Sequence, residues 1–195
     1  MTAATKSHVS VFGTTGPYFP TEWADEACDL TRVKGTAPAR GQHIILAGHL
    51  LEAGGKPTRN SVIEIWQPDA AGIFRHPLDP RFADADPAFA GWGRARTLAD
   101  GSYHLRTVIP GGYEEDGVQR LPHINVMVLA IGLTRRLATT LFFQQGPDPV
   151  LDLVPAVRRQ RLIAQRDTGL DVDGARSYRF EILLQGDGET PFFAD

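Results

Sequence analysis

His123-Ile124-Asn125-Val126-Met127-Val128-Leu129 follows Pro110-Gly111-Gly112-Tyr113 and reads as a β-strand. Alternate residues of a strand project from one face, so His123 and Asn125 point the same way. Outward from this run, other short strand-like pieces are separated by turn residues. His43 to Leu51 is ended by Gly54-Gly55-Lys56-Pro57, and Val62 to Trp66 follows it. Tyr103 to Val108 comes after Asp100-Gly101 and stops at Pro110-Gly111-Gly112. Near the C-terminus Tyr178, Phe180, Ile182 and Leu184 alternate with Arg179 and Glu181, the period of a half-buried strand. Many short strands with Gly/Pro turns and little helix predict an all-β fold, an antiparallel β-sandwich. One helix is expected, Pro155 to Arg166, with proline at its first turn. Phe82 to Arg96, with Pro87, Gly91 and Gly93, reads as a long irregular segment of the kind used for function or contacts.

The 195 residues suit one domain with a sizeable core. Residues 1–42 are expected to form an N-terminal extended arm and interface segment, and residues 43–195 the sandwich. The arm reading rests on Gly13-Thr14-Thr15-Gly16-Pro17-Tyr18-Phe19-Pro20, where prolines fix φ and remove donors. A net charge of −3, with no basic stripe interleaved with aromatics, argues against a nucleic-acid partner. No apolar run approaches the ~18 residues of a bilayer span, and no signal-peptide pattern opens the chain. The single cysteine, Cys28, excludes an internal disulfide and fits a reducing compartment, so a cytoplasmic location is expected. There is no Gly-x-Ser-x-Gly elbow or His-Glu-x-x-His zinc motif. Gly91-Trp92-Gly93-Arg94-Ala95-Arg96 lacks the strand-before, helix-after context of a phosphate loop. Gly186-Asp187-Gly188-Glu189-Thr190 reads as a turn with solvated carboxylates.

Several motifs, in order, resemble the intradiol ring-cleavage dioxygenases. They are Thr15-Gly16-Pro17-Tyr18, a Gly48 to Trp66 hairpin, Trp66-Gln67-Pro68-Asp69-Ala70-Ala71-Gly72, Gly93-Arg94-Ala95-Arg96-Thr97, Pro122-His123-Ile124-Asn125, and Gly186 to Phe193. Enzymes of that family hold ferric iron with two tyrosines and a His-x-His pair. The matching places here carry Phe74, Tyr113, His123 and Asn125, which marks a vestigial metal site. Hard, anionic phenolate suits ferric iron, whereas a phenyl ring has no donor and an amide is a poor stand-in for imidazole. His123 and Asn125 are expected to bond to each other or to backbone in a filled pseudo-site, and Tyr113 to have a satisfied hydroxyl.

This pattern is nearest to the non-iron-binding alpha chains of the two-subunit members. The resemblance then implies a catalytic beta subunit that holds Fe(III), assembly into a higher-order hetero-oligomer, and a small aromatic diol as substrate. The reaction it implies is cleavage of 3,4-dihydroxybenzoate by dioxygen to 3-carboxy-cis,cis-muconate. It also implies that Thr14, Gly16 and Pro17 border the substrate cavity with the partner. Thr140 stands where the alpha chains place an arginine, leaving Arg135 and Arg136, a few residues earlier, as possible anion contacts. Arg120 is a third such contact or, more simply, a surface arginine. Two other readings stay open: a self-sufficient dioxygenase with a rearranged site of Tyr113, His123 and His76, and a stand-alone β-sandwich binding module.

Overall fold

The computed structural model describes residues 27–133 and 135–194. The expected cavity-wall residues Thr14, Gly16 and Pro17, with most of the arm, lie outside the described residues.

Two sheets stack face to face. The first joins β1 (His43–Leu51), β4 (Ser102–Val108), β9 (Gln165–Val172), β10 (Ala175–Arg179) and β11 (Ile182–Leu183). The second has the order β3-β2-β7-β8, from β2 (Val62–Trp66), β3 (Trp92–Arg96), β7 (His123–Leu129) and β8 (Leu137–Phe142). A separate two-stranded ribbon pairs β5 (Tyr113–Glu115) with β6 (Val118–Arg120). The sandwich follows from alternation: in β1 the buried positions Ile44, Leu46, Gly48 and Leu50 are every second residue. Of these, Leu46 and Leu50 meet Ile63, Ile65, Ile124, Val126, Val128 and Leu141 of the second sheet in one core. Leu30 and Ala39, ahead of β1, belong to the same core, and Asp29 bridges to Arg106 of β4.

Four expectations need correction. β1 and β2 form no hairpin: they lie in different sheets, and the chain crosses the sandwich between them. Residues 92–96 are strand β3, which tolerates Gly93 because Leu30 packs where a side chain would stand. A separate short helix, α1 (Pro149–Asp152), comes first, and the helix expected over Pro155 to Arg166 is reduced to α2 (Ala156–Arg159) and a 3-10 turn (Gln160–Leu162). Docking ends it: Ala164 N donates to Phe142 O at 2.8 Å, and Leu162 is buried in a small cluster with Phe142, Leu151 and Val154. Finally, the C-terminal alternation is split at Phe180, and both β10 and β11 pair with β1 in parallel.

Candidate functional site

The outer face of the second sheet carries the candidate site. In β7 the core side takes Ile124, Val126 and Val128, so His123 and Asn125 share the opposite face, as their spacing predicts. The register places Trp66 beside Asn125 and Asn125 beside Thr140, giving a row across three strands. Phe74 reaches this face from the turn after β2. Asp69 builds that turn by accepting bonds from Ala71 N at 2.8 Å and Ile73 N at 3.1 Å. Gly72, at φ 78°, lies so close to Gly112 O that a side chain cannot fit, which ties the turn to the entry of β5. Tyr113 opens β5 and closes the site from above.

Four aromatic rings line up around the resulting space. Phe74 is nearly parallel to Trp66, with centroids 5.9 Å apart and a 14° tilt. Tyr113 stands edge-on to Phe74 at 5.1 Å, and His76 edge-on to Trp66 at 5.9 Å. In front of these rings lies a cavity of about 660 Å³, lined also by Leu78, Asp79, Arg81, Glu114 and Asn125. Phe74, Tyr113 and Asn125 thus border an open cavity, whereas His123 is itself buried and bonded to backbone.

Tyr113 and His123 bond directly, with the hydroxyl 3.3 Å from His123 Nε2. His123 Nδ1 lies 2.7 Å from Leu121 O, a pure acceptor, so Nδ1 carries the proton and Nε2 accepts from the phenol. Burial holds the imidazole below its usual range, against the pull of the Leu121 carbonyl. The phenol is pushed up to about 12, first by burial and then by the Glu115 carboxylate. Both groups are neutral at pH 7. Asn125 does not bond His123; its Oδ1 accepts from Thr140 Oγ1 at 3.4 Å.

Behind the pair, Arg120 is buried at 8% exposure, which corrects the expectation of a surface arginine. Its Nε and Nη2 donate to Asp148 at 3.0 and 3.3 Å, and Nη1 donates to Glu115. Its guanidinium also faces the Tyr113 ring, 5.9 Å from the centroid. Asp148 further accepts from Leu121 N and caps α1 through Val150 N. Arg120 is thus spent on internal carboxylates. Arg135 and Arg136 are exposed in the segment between β7 and β8. That end of the β7–β8 pair is about 17 Å from His123, five strand residues away.

Sequence reasoning missed Asp148, Glu115, Trp66, Asp79 and Arg81. A signal existed for one: Asp148-Pro149 is a helix-start pattern, which marks Asp148 as a capping carboxylate.

The donor set does not fit the ferric iron that the resemblance implies. Phe74 contributes no donor atom, and Asn125 offers a neutral amide already bonded to Thr140. Tyr113 and His123 leave two donors where tight binding of a hard trivalent ion calls for more, with anionic oxygen among them. Among the described residues no cluster of three or more His, Cys, Asp or Glu could supplement them.

Comparison with known proteins places the chain in a dioxygenase family and matches both alpha and beta chains of one enzyme. A family described as Dioxygenase matches residues 14–186. The chain is 39% identical to the protocatechuate 3,4-dioxygenase alpha chain of Pseudomonas putida, over 80% of this chain and 77% of that one. It is 34% identical to the alpha chain of Burkholderia cepacia, over 92% and 94%. It is also 36% identical to the beta chain of the same organism, over 84% and 73%. Among solved structures, the dioxygenase domain of a carbohydrate-binding fusion from Streptomyces sp. SirexAA-E superposes with a TM-score of 0.57. That pair is 26% identical and covers 89% of this chain and 96% of the other.

Proposed function

Because this chain belongs to the intradiol dioxygenase family, whose members are non-heme Fe(III) enzymes, we propose that it is the alpha, non-iron-binding subunit of a protocatechuate 3,4-dioxygenase. A beta subunit holds the iron and cleaves 3,4-dihydroxybenzoate with dioxygen to 3-carboxy-cis,cis-muconate. The present chain supplies the pairing surface and part of the cavity wall, with Thr14, Gly16 and Pro17 at the mouth. Arg135 and Arg136, exposed and remote from this chain's own pseudo-site, would meet the substrate carboxylate only across the interface with the partner.

The observation that carries this reading is the occupant of two ligand places: Phe74, packed on Trp66 and Tyr113, and Asn125, bonded to Thr140. Within this chain, residues at the site orient and pack; the Tyr113 proton stays on its phenol, pointed at His123 Nε2. When bound in the partner, ferric iron activates the diol toward dioxygen. Co-expression with a beta chain of a protocatechuate 3,4-dioxygenase tests the reading. A stable co-eluting complex that turns over 3,4-dihydroxybenzoate is expected, and two chains that elute apart would refute it.

The second reading, a self-sufficient enzyme, draws on the 36% identity to a beta chain and on the Nε2 lone pair facing Tyr113. Turnover by the iron-treated chain alone would favour it. His76 lines the same cavity as Tyr113, its Nδ1 accepting from Leu78 N at 3.2 Å.

A further inference from the structure

The cavity in front of Tyr113 has kept its aromatic walls while its charges have the wrong sign for an aromatic acid. Trp66, Phe74 and Tyr113 line it, the first two rings nearly parallel and Tyr113 edge-on to Phe74. Its volume of about 660 Å³ falls within the range of small-molecule sites. Three carboxylates line it, but Asp79 is ion-paired with Arg81 and Glu115 with Arg120, so the negative charge of the wall comes from Glu114. Arg81 is already committed: Nη2 donates to Gly72 O at 2.8 Å and to Asp79 at 3.2 Å, and Nε to Asp79 at 3.3 Å. Arg120, which faces the Tyr113 ring, is buried and held by Asp148 and Glu115. Glu114, exposed at the rim, carries its charge toward an entering ligand.

Aromatic faces attract cations through the ring quadrupole, and a carboxylate rim adds to that attraction while repelling anions. We propose that this cavity is a binding site for a small organic cation, an aryl- or alkylammonium, and that it discriminates against aromatic carboxylates. The site is separate in chemistry from the carboxylated diol that the partner's iron would take. The proposal does not depend on the partner, on iron or on turnover.

Tyramine and 4-hydroxyphenylacetate make the test, because they are nearly the same size and opposite in charge, and neither has the second hydroxyl needed to chelate iron. Titration of the iron-free full-length chain, followed by calorimetry and tryptophan fluorescence, should show tyramine binding about tenfold or more tighter than the anion. Glu114→Gln should weaken tyramine about threefold, the share of one exposed charge, and reduce the salt dependence of binding. Phe74→Leu, which keeps an apolar wall but removes a π face, should weaken it by a similar factor. Thermal melts of both variants establish that they are folded. Equal or tighter binding of the anion overturns the proposal, as does absence of tyramine binding. Unchanged tyramine affinity in both folded variants also overturns it, since the cation would then sit elsewhere. None of these results bears on whether a beta chain supplies the iron.

Discussion

Replacing Asp148 with alanine should destabilise the chain by about 3–5 kcal/mol, the usual loss when one partner of a buried ion pair is stranded. The site justifies a figure near the lower end. The Asp148 side chain has no exposure, that of Arg120 only 9%, and the carboxylate receives four bonds. Two come from Arg120, one from Leu121 N and one from Val150 N at the start of α1. Glu115 remains as a partner for the arginine, but its side chain is 52% exposed, so solvent weakens that pairing. A loss of about 3 kcal/mol corresponds to roughly 6–12 °C in a chain of this length. Denaturant unfolding should show a lower midpoint at an unchanged slope. Replacing both residues with apolar ones, Arg120→Met and Asp148→Leu, should recover part of the loss because no charge is left stranded.

The pH dependence has a defined sign. Burial pushes the Asp148 carboxyl up, but the bonds from Arg120, Leu121 N and Val150 N outweigh it and hold the group below its ordinary range. A carboxyl depressed in the folded state contributes stability that is full above its unfolded value, about pH 4, and lost as pH falls through the folded one. The gap between wild type and Asp148→Ala should therefore close in acid. A loss under about 1 kcal/mol, or a gap that persists undiminished in acid, would refute the role assigned to this pair.

Other expectations follow from the same geometry. Tyr113→Phe removes one hydrogen bond and leaves His123 Nε2 unsatisfied, costing about 1–2 kcal/mol in denaturant midpoint while leaving the activity of a complex with the beta chain unchanged. The same variant should lack the phenol that ionises at about 12 in an ultraviolet titration; since that value is raised on folding, its contribution is full below about pH 10 and lost above. Gly72→Ala should destabilise by more than about 1 kcal/mol, because it strains a positive φ and presses a methyl group on Gly112 O. Tyr103→Phe should cost about 1–2 kcal/mol, since its buried hydroxyl donates to Phe180 O at 2.6 Å and fixes the break between β10 and β11.

The strands with clean alternation were legible: His43–Leu51 and Val62–Trp66 stand at the expected bounds. What alternation does not encode is partnership. The parallel pairing of β1 with β10 and β11 joins segments more than 130 residues apart, and local pattern carries no trace of it. β3 was hidden because Gly93 lowers strand propensity, and its reason for being there, Leu30, comes from a distant segment. The helix from Pro155 was cut short by tertiary docking of Leu162 and Ala164, which overrides propensity. At the site, the shared face of His123 and Asn125 was readable from spacing alone. The burial of Arg120 was not, because its partner Asp148 lies 28 residues away. The cavity and its acidic rim were equally hidden, since Asp79, Glu114 and Asn125 meet only once the turn after β2 folds back on β5.

The central claim is that this chain lacks the iron its family uses and depends on a partner for it. Iron content and visible absorbance, measured on the chain purified alone and after co-expression with a protocatechuate 3,4-dioxygenase beta chain, test it most directly. Ferric tyrosinate absorbs broadly in the visible, so colour reports the ligand set. The account predicts a colourless, iron-free chain alone and a coloured, active complex; a coloured, iron-bearing chain alone would contradict it.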